Sequence, residues 1–187
     1  MLPIVTNTAF PRLTRWGRFA LFLVAVWALS GLSPGWAGPL ITVELPAVED
    51  STLRQNAPAG NFSKSGILAV RSHKPGHHDD DDDDKTSGPK NWRSVIRFDL
   101  SQLPPNSVVE SATLELFMKK APKKSRTYGV HRLTANWSER FVSWLNRGEG
   151  IAWGTAGSDF VATPTASVNT GTKSKVTLSW NVTADVS

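Results

Sequence analysis

The sequence contains no cysteine among its 187 residues, so no disulfide bond can hold the fold together. After residue 37 it also lacks an apolar run long enough to span a membrane as a helix. Catalytic signatures are missing too: there is no Gly-x-Ser-x-Gly turn, no Walker loop and no His-Glu-x-x-His helix. These absences indicate a fold stabilised by burial and argue against an enzyme.

The first 37 residues have the features of a signal peptide. Three arginines lie between residues 12 and 18, and an apolar run of 11 residues, Phe19–Leu29, follows them. Gly35 and Ala37 then supply small residues at the spacing that a signal peptidase requires. We therefore predict cleavage after Ala37 and a secreted or cell-surface protein. The alternative is an uncleaved N-terminal anchor, which the short apolar run makes weaker.

The charge of the remaining chain is unevenly distributed. Residues 38–187 carry 18 basic and 16 acidic side chains, a net charge of +2. Six of the acids form one block, Asp79–Asp84, and without it the net charge would be +8. A basic body favours polyanionic partners. For an exported protein, an acidic polysaccharide or the cell envelope is a better candidate than nucleic acid.

Short apolar–polar alternations separated by Gly, Pro, Asn and Ser make up the body of the chain. In Ser94–Leu100, for example, Val95 and Arg97 lie on one side and Ile96 and Phe98 on the other, as in a strand. A single sheet would leave one apolar face in water, so the pattern predicts an all-β fold, a two-sheet antiparallel β-sandwich. The expected strands are at 41–45, 67–70, 94–100, 112–118, 128–133, 159–162 and 175–183.

Five segments, in order, resemble the DNRLRE domain of bacterial surface and secreted proteins. The most distinctive is RSVIRFDLSQLP, in which an Arg-ended strand leads into Phe-Asp-Leu and a Leu-Pro turn. The resemblance implies a jelly-roll-like sandwich and a similarity to carbohydrate-binding modules, some of which attach to alginate. The five segments are Ala47–Ser63, Arg93–Pro104, Val108–Phe117, Val130–Trp144 and Trp180–Thr183.

The resemblance covers about residues 43–187, with three departures, one of which is Leu145 at a position where the family usually has a polar residue. The segment 72–91 is an insertion that the family does not need. The family also implies further closing strands after Ser187, so we expect a C-terminal continuation or another chain to complete the sandwich. We divide the sequence into a signal peptide, 1–37, and one sandwich domain, 38–187.

The acidic block is the first candidate site. Carboxylates could hold calcium weakly, but a calcium loop needs ligands at defined positions and a sharp turn, and a homopolymer offers neither. Adjacent carboxylates repel one another, which favours a solvated loop without a cofactor. The candidate metal ligands are Asp79, Asp80, Asp81, Asp82, Asp83 and Asp84.

Basic and aromatic side chains supply the second candidate site. The segment 119–126 holds five cations in eight residues, which suits either a contact with a carboxylated glycan or a solubilising loop. Trp92 and Trp153 lie between predicted strands and are candidates for stacking on sugar rings, whereas Trp137, Trp144 and Trp180 are expected in the core. The candidate cations are Lys119, Lys120, Lys123, Lys124 and Arg126.

Together these features predict a secreted, non-catalytic module that binds an acidic polysaccharide or the cell envelope. The alternative is a structural or adhesive spacer of a bacterial surface protein with no small ligand. The sequence leaves the identity of the glycan and the oligomeric state open.

Overall fold

The computed structural model describes residues 4–7, 14–27, 40–72 and 90–186, and almost all of its regular structure is strand. Two short 3-10 turns, Ser63–Ser65 and Leu100–Gln102, and a four-residue helix α1, Thr183–Val186, are the described helical elements. The strands are β1 (Ile4–Asn7), β2 (Thr14–Trp27), β3 (Leu40–Arg54), β4 (Ala69–Val70), β5 (Trp92–Phe98), β6 (Ser107–Lys120), β7 (Thr127–His131), β8 (Asn146–Gly148), β9 (Ile151–Ala152), β10 (Ala166–Asn169) and β11 (Val176–Asn181).

The long strand β3 belongs to two layers. Its first half pairs with β2, and from Ala47 onward it pairs with β5. One layer therefore has the order β10-β7-β1-β5-β3, and the other has the order β3-β2-β6-β11, with β4 also on β2. All the pairs are antiparallel. The predicted antiparallel β-sandwich is confirmed.

The core lies between the two layers. The side chains of β5 and β7 meet those of β6 and β11 there, and Trp180, Tyr128 and Leu114 are among the fully buried ones. Strict alternation on β6 produces this arrangement, because every second residue from Ala112 to Met118 is buried. Burial of this apolar surface is the main stabilising contribution in a chain without cysteine.

A second apolar cluster covers the opposite face of β5. Val95 points away from the core there and packs against Trp137, Trp144 and Trp153 from the long segment between β7 and β10. The expectation that Trp137, Trp144 and Trp180 are buried is confirmed, with exposures of 4%, 6% and 1%. The long segment therefore contributes to the core rather than extending into solvent.

The segment before β10 differs from the prediction. We predicted a strand at 159–162, but Phe160 makes only an isolated bridge with Leu133. Asp159 ends a turn instead, since its carboxylate accepts hydrogen bonds from the backbone N–H groups of Gly154 and Thr155. Carboxylates that bind the backbone locally in this way compete with a strand ladder.

Strand β2 overlaps the predicted signal peptide. It lies between β3 and β6 and is antiparallel to both. Cleavage after Ala37 stays a prediction. It would remove β1 and β2, so β3 and β6, which run parallel to each other, would lose the strand that lies between them. None of the described helices is long and apolar enough to span a membrane.

Candidate functional site

Three residues that pair side by side form a cationic ladder, which we define as Arg54 on β3, Trp92 on β5 and Arg71 directly after β4. Trp92 at the start of β5 pairs with Arg54 at the end of β3, and on its other side it forms a bridge with Arg71. Directly paired residues of adjacent strands project from the same face of a sheet. The guanidinium carbons of Arg54 and Arg71 accordingly lie 4.5 and 5.9 Å from the centroid of the Trp92 ring.

Polar contacts hold this ladder in place. The Trp92 indole Nε1 donates a 2.6 Å hydrogen bond to Oδ1 of Asn56, and Asn91 Nδ2 donates a 2.6 Å hydrogen bond to Oε1 of Gln55. The turn that follows β3 also returns Phe62 to the ladder, where its ring centroid lies 3.8 Å from the Arg54 guanidinium carbon. Two aromatic rings therefore contact one guanidinium group.

Arg54 has no carboxylate partner among the residues that the structure describes. Its Nε is buried and makes no hydrogen bond. Burial lowers the pKa of this guanidinium below its usual value, because desolvation penalises the charged form. Arginine nevertheless remains charged at physiological pH, so Arg54 is a partly desolvated cation with no counter-ion from the described part of the chain.

A second group of cations lies on two loops that strand pairing brings together. Lys119 and Lys120 end β6 and are exposed, and Lys123 and Lys124 in the following loop are exposed as well. The loop before β11 lies beside them, since the backbone N–H of Lys175 donates to the Met118 carbonyl and that of Ala121 donates to Ser174 Oγ. Exposed Lys173 and Lys175 therefore join the group.

The ladder and the lysines lie at the same end of the sandwich. In the pairing register, Lys120 of β6 and Ala69 of β4 stand on either side of the same β2 residue. Two strand spacings separate them, about 10 Å, and Arg71 follows Ala69 by two residues. The cationic end, as we call it, consists of Arg54, Arg71, Lys119, Lys120, Lys123, Lys124, Arg126, Lys173 and Lys175.

Acidic residues on the same strands are distant from this end. Asp50 on β3 is four residues from Arg54, and Glu115 on β6 is five residues from Lys120. At the rise of a strand these separations are about 13 and 17 Å. The described body is therefore polarised, with a concentration of positive charge at one end.

The two candidate tryptophans have different surroundings. Trp153 is only 5% exposed, and its Nε1 donates a 3.0 Å hydrogen bond to the Ser143 carbonyl. The expectation of an exposed Trp153 is wrong, because the long segment folds over β5 and needs apolar side chains beneath it. Trp92 is half-buried, with guanidinium groups over its ring.

The predicted cations are placed as expected, with one exception. The four lysines of 119–124 are exposed, whereas Arg126 is half-buried, and its backbone exchanges hydrogen bonds with Thr170. The candidate metal ligands Asp79–Asp84 lie outside the described residues, so calcium binding stays a hypothesis. Within 40–72 and 90–186, no group of three or more acidic or histidine side chains could hold a metal ion.

Arg93 and Arg97 pack against the second apolar cluster and are not part of the cationic end. Their guanidinium carbons lie 5.1 and 5.0 Å from the rings of Trp144 and Trp137. Arg93 donates a 2.6 Å hydrogen bond to the Gly157 carbonyl, and Arg97 forms an ion pair with Glu49.

Sequence reasoning missed Arg54, Arg71, Lys173 and Lys175. Arg54 and Arg71 lie three or more residues from the nearest cation, and Lys173 and Lys175 form only a pair, so no run of charge marks any of the four. The alternation in Lys173-Ser174-Lys175 was the one local signal, and only the pairing of β11 with β6 places these lysines beside the segment 119–124.

A β-sandwich that presents a fixed cluster of cations and a half-exposed indole has the properties of a binding module. Residues 41–187 match the model of carbohydrate-binding module family 96. The chain belongs to this family. No curated protein and no solved structure matches the chain.

Proposed function

We propose that this chain is an exported, non-catalytic module that attaches to an acidic polysaccharide through its cationic end. Membership of a carbohydrate-binding family supports the general class of ligand. The observation that carries the finer statement is the clustering of Arg54, Arg71 and the lysines of two loops at one end of the sandwich. Acidic glycans carry regularly spaced negative charges that several such cations can contact at once.

The lysines contribute attraction that is broad and sensitive to salt. Lys119, Lys120, Lys124, Lys173 and Lys175 have no carboxylate partner among the described residues. Exposed ammonium groups on flexible stems attract any polyanion, and salt at 0.15 M screens them beyond about 8 Å. Binding should therefore weaken as salt rises.

The test is affinity electrophoresis and calorimetry on charged and neutral polysaccharides. We expect binding to alginate and polygalacturonate, weakening from 20 to 500 mM salt, and no binding to neutral dextran. The double variant Lys123→Ala/Lys124→Ala should bind more weakly, whereas Arg132→Ala, an exposed cation just beyond the opposite end of β7, serves as the matched control. Binding that does not depend on salt would refute attachment through the cationic end. Failure to bind any acidic glycan would refute the proposal and favour a structural or adhesive spacer.

Export is tested separately. We expect protein recovered from the producing cell's exterior to begin at Gly38, as N-terminal sequencing would show. A start at Met1 in that material would contradict cleavage.

A further inference from the structure

We propose that Asn61 is a positioning residue for the cationic ladder. It ties the turn after β3, residues 55–62, to the long segment that covers β5, and through that turn it holds Phe62 against Arg54. The inference rests on the polysaccharide binding proposed above. It gives a role in binding to a residue that lies outside the cationic end and does not require that residue to touch a ligand.

This turn brings two side chains back to the ladder. A 3.2 Å hydrogen bond from the Ala57 N–H to the Arg54 carbonyl closes its first half. Asn56 at its beginning accepts the hydrogen bond from the indole Nε1 of Trp92, and the Phe62 ring at its end lies 3.8 Å from the Arg54 guanidinium carbon. The position of the turn therefore decides where these side chains meet the ladder.

Asn61 binds the long segment through its side-chain amide. Its Nδ2 donates hydrogen bonds of 2.7 and 2.8 Å to the carbonyls of Glu139 and Val142, and its Oδ1 accepts a 2.8 Å hydrogen bond from the Ser63 hydroxyl. A carboxamide has two N–H donors, and both are used here on backbone carbonyls of the protein itself. Asn61 is therefore a link between two segments of the chain.

The long segment is a fixed base for this link because it is anchored elsewhere as well. The Leu145 N–H donates a 3.1 Å hydrogen bond to the Pro58 carbonyl in the turn. Glu139 Oε1 accepts a 3.1 Å hydrogen bond from the backbone N–H of Asp50 on β3, and the tryptophans of the segment are buried over β5. The turn is thus attached at two points to a segment that itself packs on the sheet.

The Phe62 ring fits closely against the turn. A Cβ added at Gly60 would lie 3.0 Å from two atoms of that ring. Gly60 therefore leaves the room that the ring occupies, and Asn61 fixes the backbone next to it. A ring held in one place restricts the neighbouring Arg54 side chain, and a side chain that is already ordered loses less conformational entropy when a ligand arrives.

The first test compares two asparagines in the full chain. Asn61→Ala removes both donors and leaves every cation in place, and we expect it to bind polygalacturonate roughly fivefold more weakly than the wild type. Asn136→Ala is the matched control, because Asn136 uses its backbone carbonyl to accept from Arg147 and keeps that contact as alanine. The control should change the affinity by less than about twofold. Calorimetry at low salt measures both.

Chemical labelling without a ligand separates positioning of the ladder from a general loss of stability. Phenylglyoxal modifies accessible arginines, and peptide mass spectrometry gives the rate at each one. In Asn61→Ala we expect the rate at Arg54 to rise severalfold, because the Phe62 ring no longer stays beside it. The rate at exposed Arg132 should not change. Thermal melting shows that the variant is folded at the labelling temperature.

A double-mutant cycle shows whether Asn61 acts through the ring. Phe62→Leu removes the ring, so adding Asn61→Ala to it should cost little further affinity. Gly60→Ala displaces the ring and leaves the hydrogen bonds of Asn61 in place, and it should weaken binding about as much as Asn61→Ala does.

The outcomes separate this proposal from the general one. If the wild type binds polygalacturonate and Asn61→Ala binds it equally well with an unchanged labelling rate at Arg54, the positioning role is refuted and the polysaccharide function stands. If Asn61→Ala raises labelling at Arg54 and Arg132 alike, or adds its full effect to that of Phe62→Leu, Asn61 supports the fold in general and the positioning role is refuted. If the wild type binds no acidic polysaccharide, the proposed function fails, and the labelling rate at Arg54 alone decides whether Asn61 positions the ladder.

Discussion

The indole Nε1 of Trp180 donates a 3.0 Å hydrogen bond to the backbone carbonyl of Tyr128. Trp180 lies on β11 in one layer and Tyr128 on β7 in the other, and both are buried. One side chain therefore fills the core and joins the two sheets by a directional bond. Such a buried pair helps to fix how the layers are aligned, since an unpaired buried carbonyl is costly.

Replacing this indole should destabilise the fold. Trp180→Phe removes the donor and leaves the Tyr128 carbonyl without it, so we expect the free energy of unfolding to fall by about 1–3 kcal/mol. Urea denaturation followed by circular dichroism measures the change. Trp92→Phe is the control, because its indole bonds to Asn56 at the surface and should matter less. Equal effects of the two substitutions would contradict the inter-sheet role.

Position 157 requires glycine because of both its backbone conformation and the side chains that surround it. Its φ is +91°, and a Cβ there would lie 2.7 Å from the Trp144 ring and 2.9 Å from the Arg93 guanidinium. Gly157→Ala should therefore lower the free energy of unfolding by about 1–3 kcal/mol through backbone strain, with the clash adding to this. Gly66→Ala tests conformation without crowding, since Gly66 has φ +60° and open space around it. We expect a smaller loss of about 1 kcal/mol there, and an equal loss at both sites would exclude the clash.

We expect the titration of Asp50 to contribute to the pH dependence of the free energy of unfolding. Burial, and secondarily the negative charge of Glu139, raises the pKa of this carboxyl above 3.8. A raised pKa means that the folded state favours the protonated form. The contribution of protonated Asp50 to the free energy of unfolding is therefore complete below pH 3.8, and it is lost as the pH rises through the pKa of Asp50 in the folded state.

Asp50→Asn removes this titration. We expect a higher melting temperature than the wild type at pH 7 and a difference that shrinks as the pH falls toward 3.8. Asp99→Asn is the opposite case, since hydrogen bonds from Ser101 lower the pKa of Asp99 and its contribution is lost as the pH falls. Melting curves between pH 3 and 7 measure both. If the melting temperatures of Asp50→Asn and the wild type differ by the same amount at every pH, the raised pKa of Asp50 is contradicted.

Neutralising the acidic block should strengthen polyanion binding. Exchanging the six aspartates of 79–84 for asparagine raises the formal net charge of residues 38–187 from +2 to +8. The segment that holds them leaves the described body at Ser72 and returns at Lys90, directly beside the cationic ladder. At low salt we expect affinity for polygalacturonate to rise on the order of tenfold, and the gain to vanish in high salt. Exchanging Asp99 and Glu110 for their amides is the control and should change the affinity little. If this control raises the affinity as much as neutralising the acidic block does, the effect of the block is not specific to its position.

Much of the fold was predictable because alternation is a local property. The sequence correctly predicted which side chains of β5 share a face, since Ile96 and Phe98 lie in the core between the layers and Val95 faces away from it. The turn at Asp159 was not predicted, because its hydrogen bonds to Gly154 and Thr155 compete with a strand that the apolar pattern alone suggested. The exposed lysines of 119–124 were predictable because a run of like charge rarely lies inside a core.

The sequence by itself determined the class of fold, the absence of covalent cross-links and the existence of a basic segment. These follow from composition and from a period of two residues, which any chain with one buried face per strand must show. Only the tertiary structure decided that Trp153 is buried, and that Arg54 and Arg71 meet across Trp92. Strand register sets those contacts between residues far apart in the chain, and register depends on the pairing of whole strands rather than on any single segment.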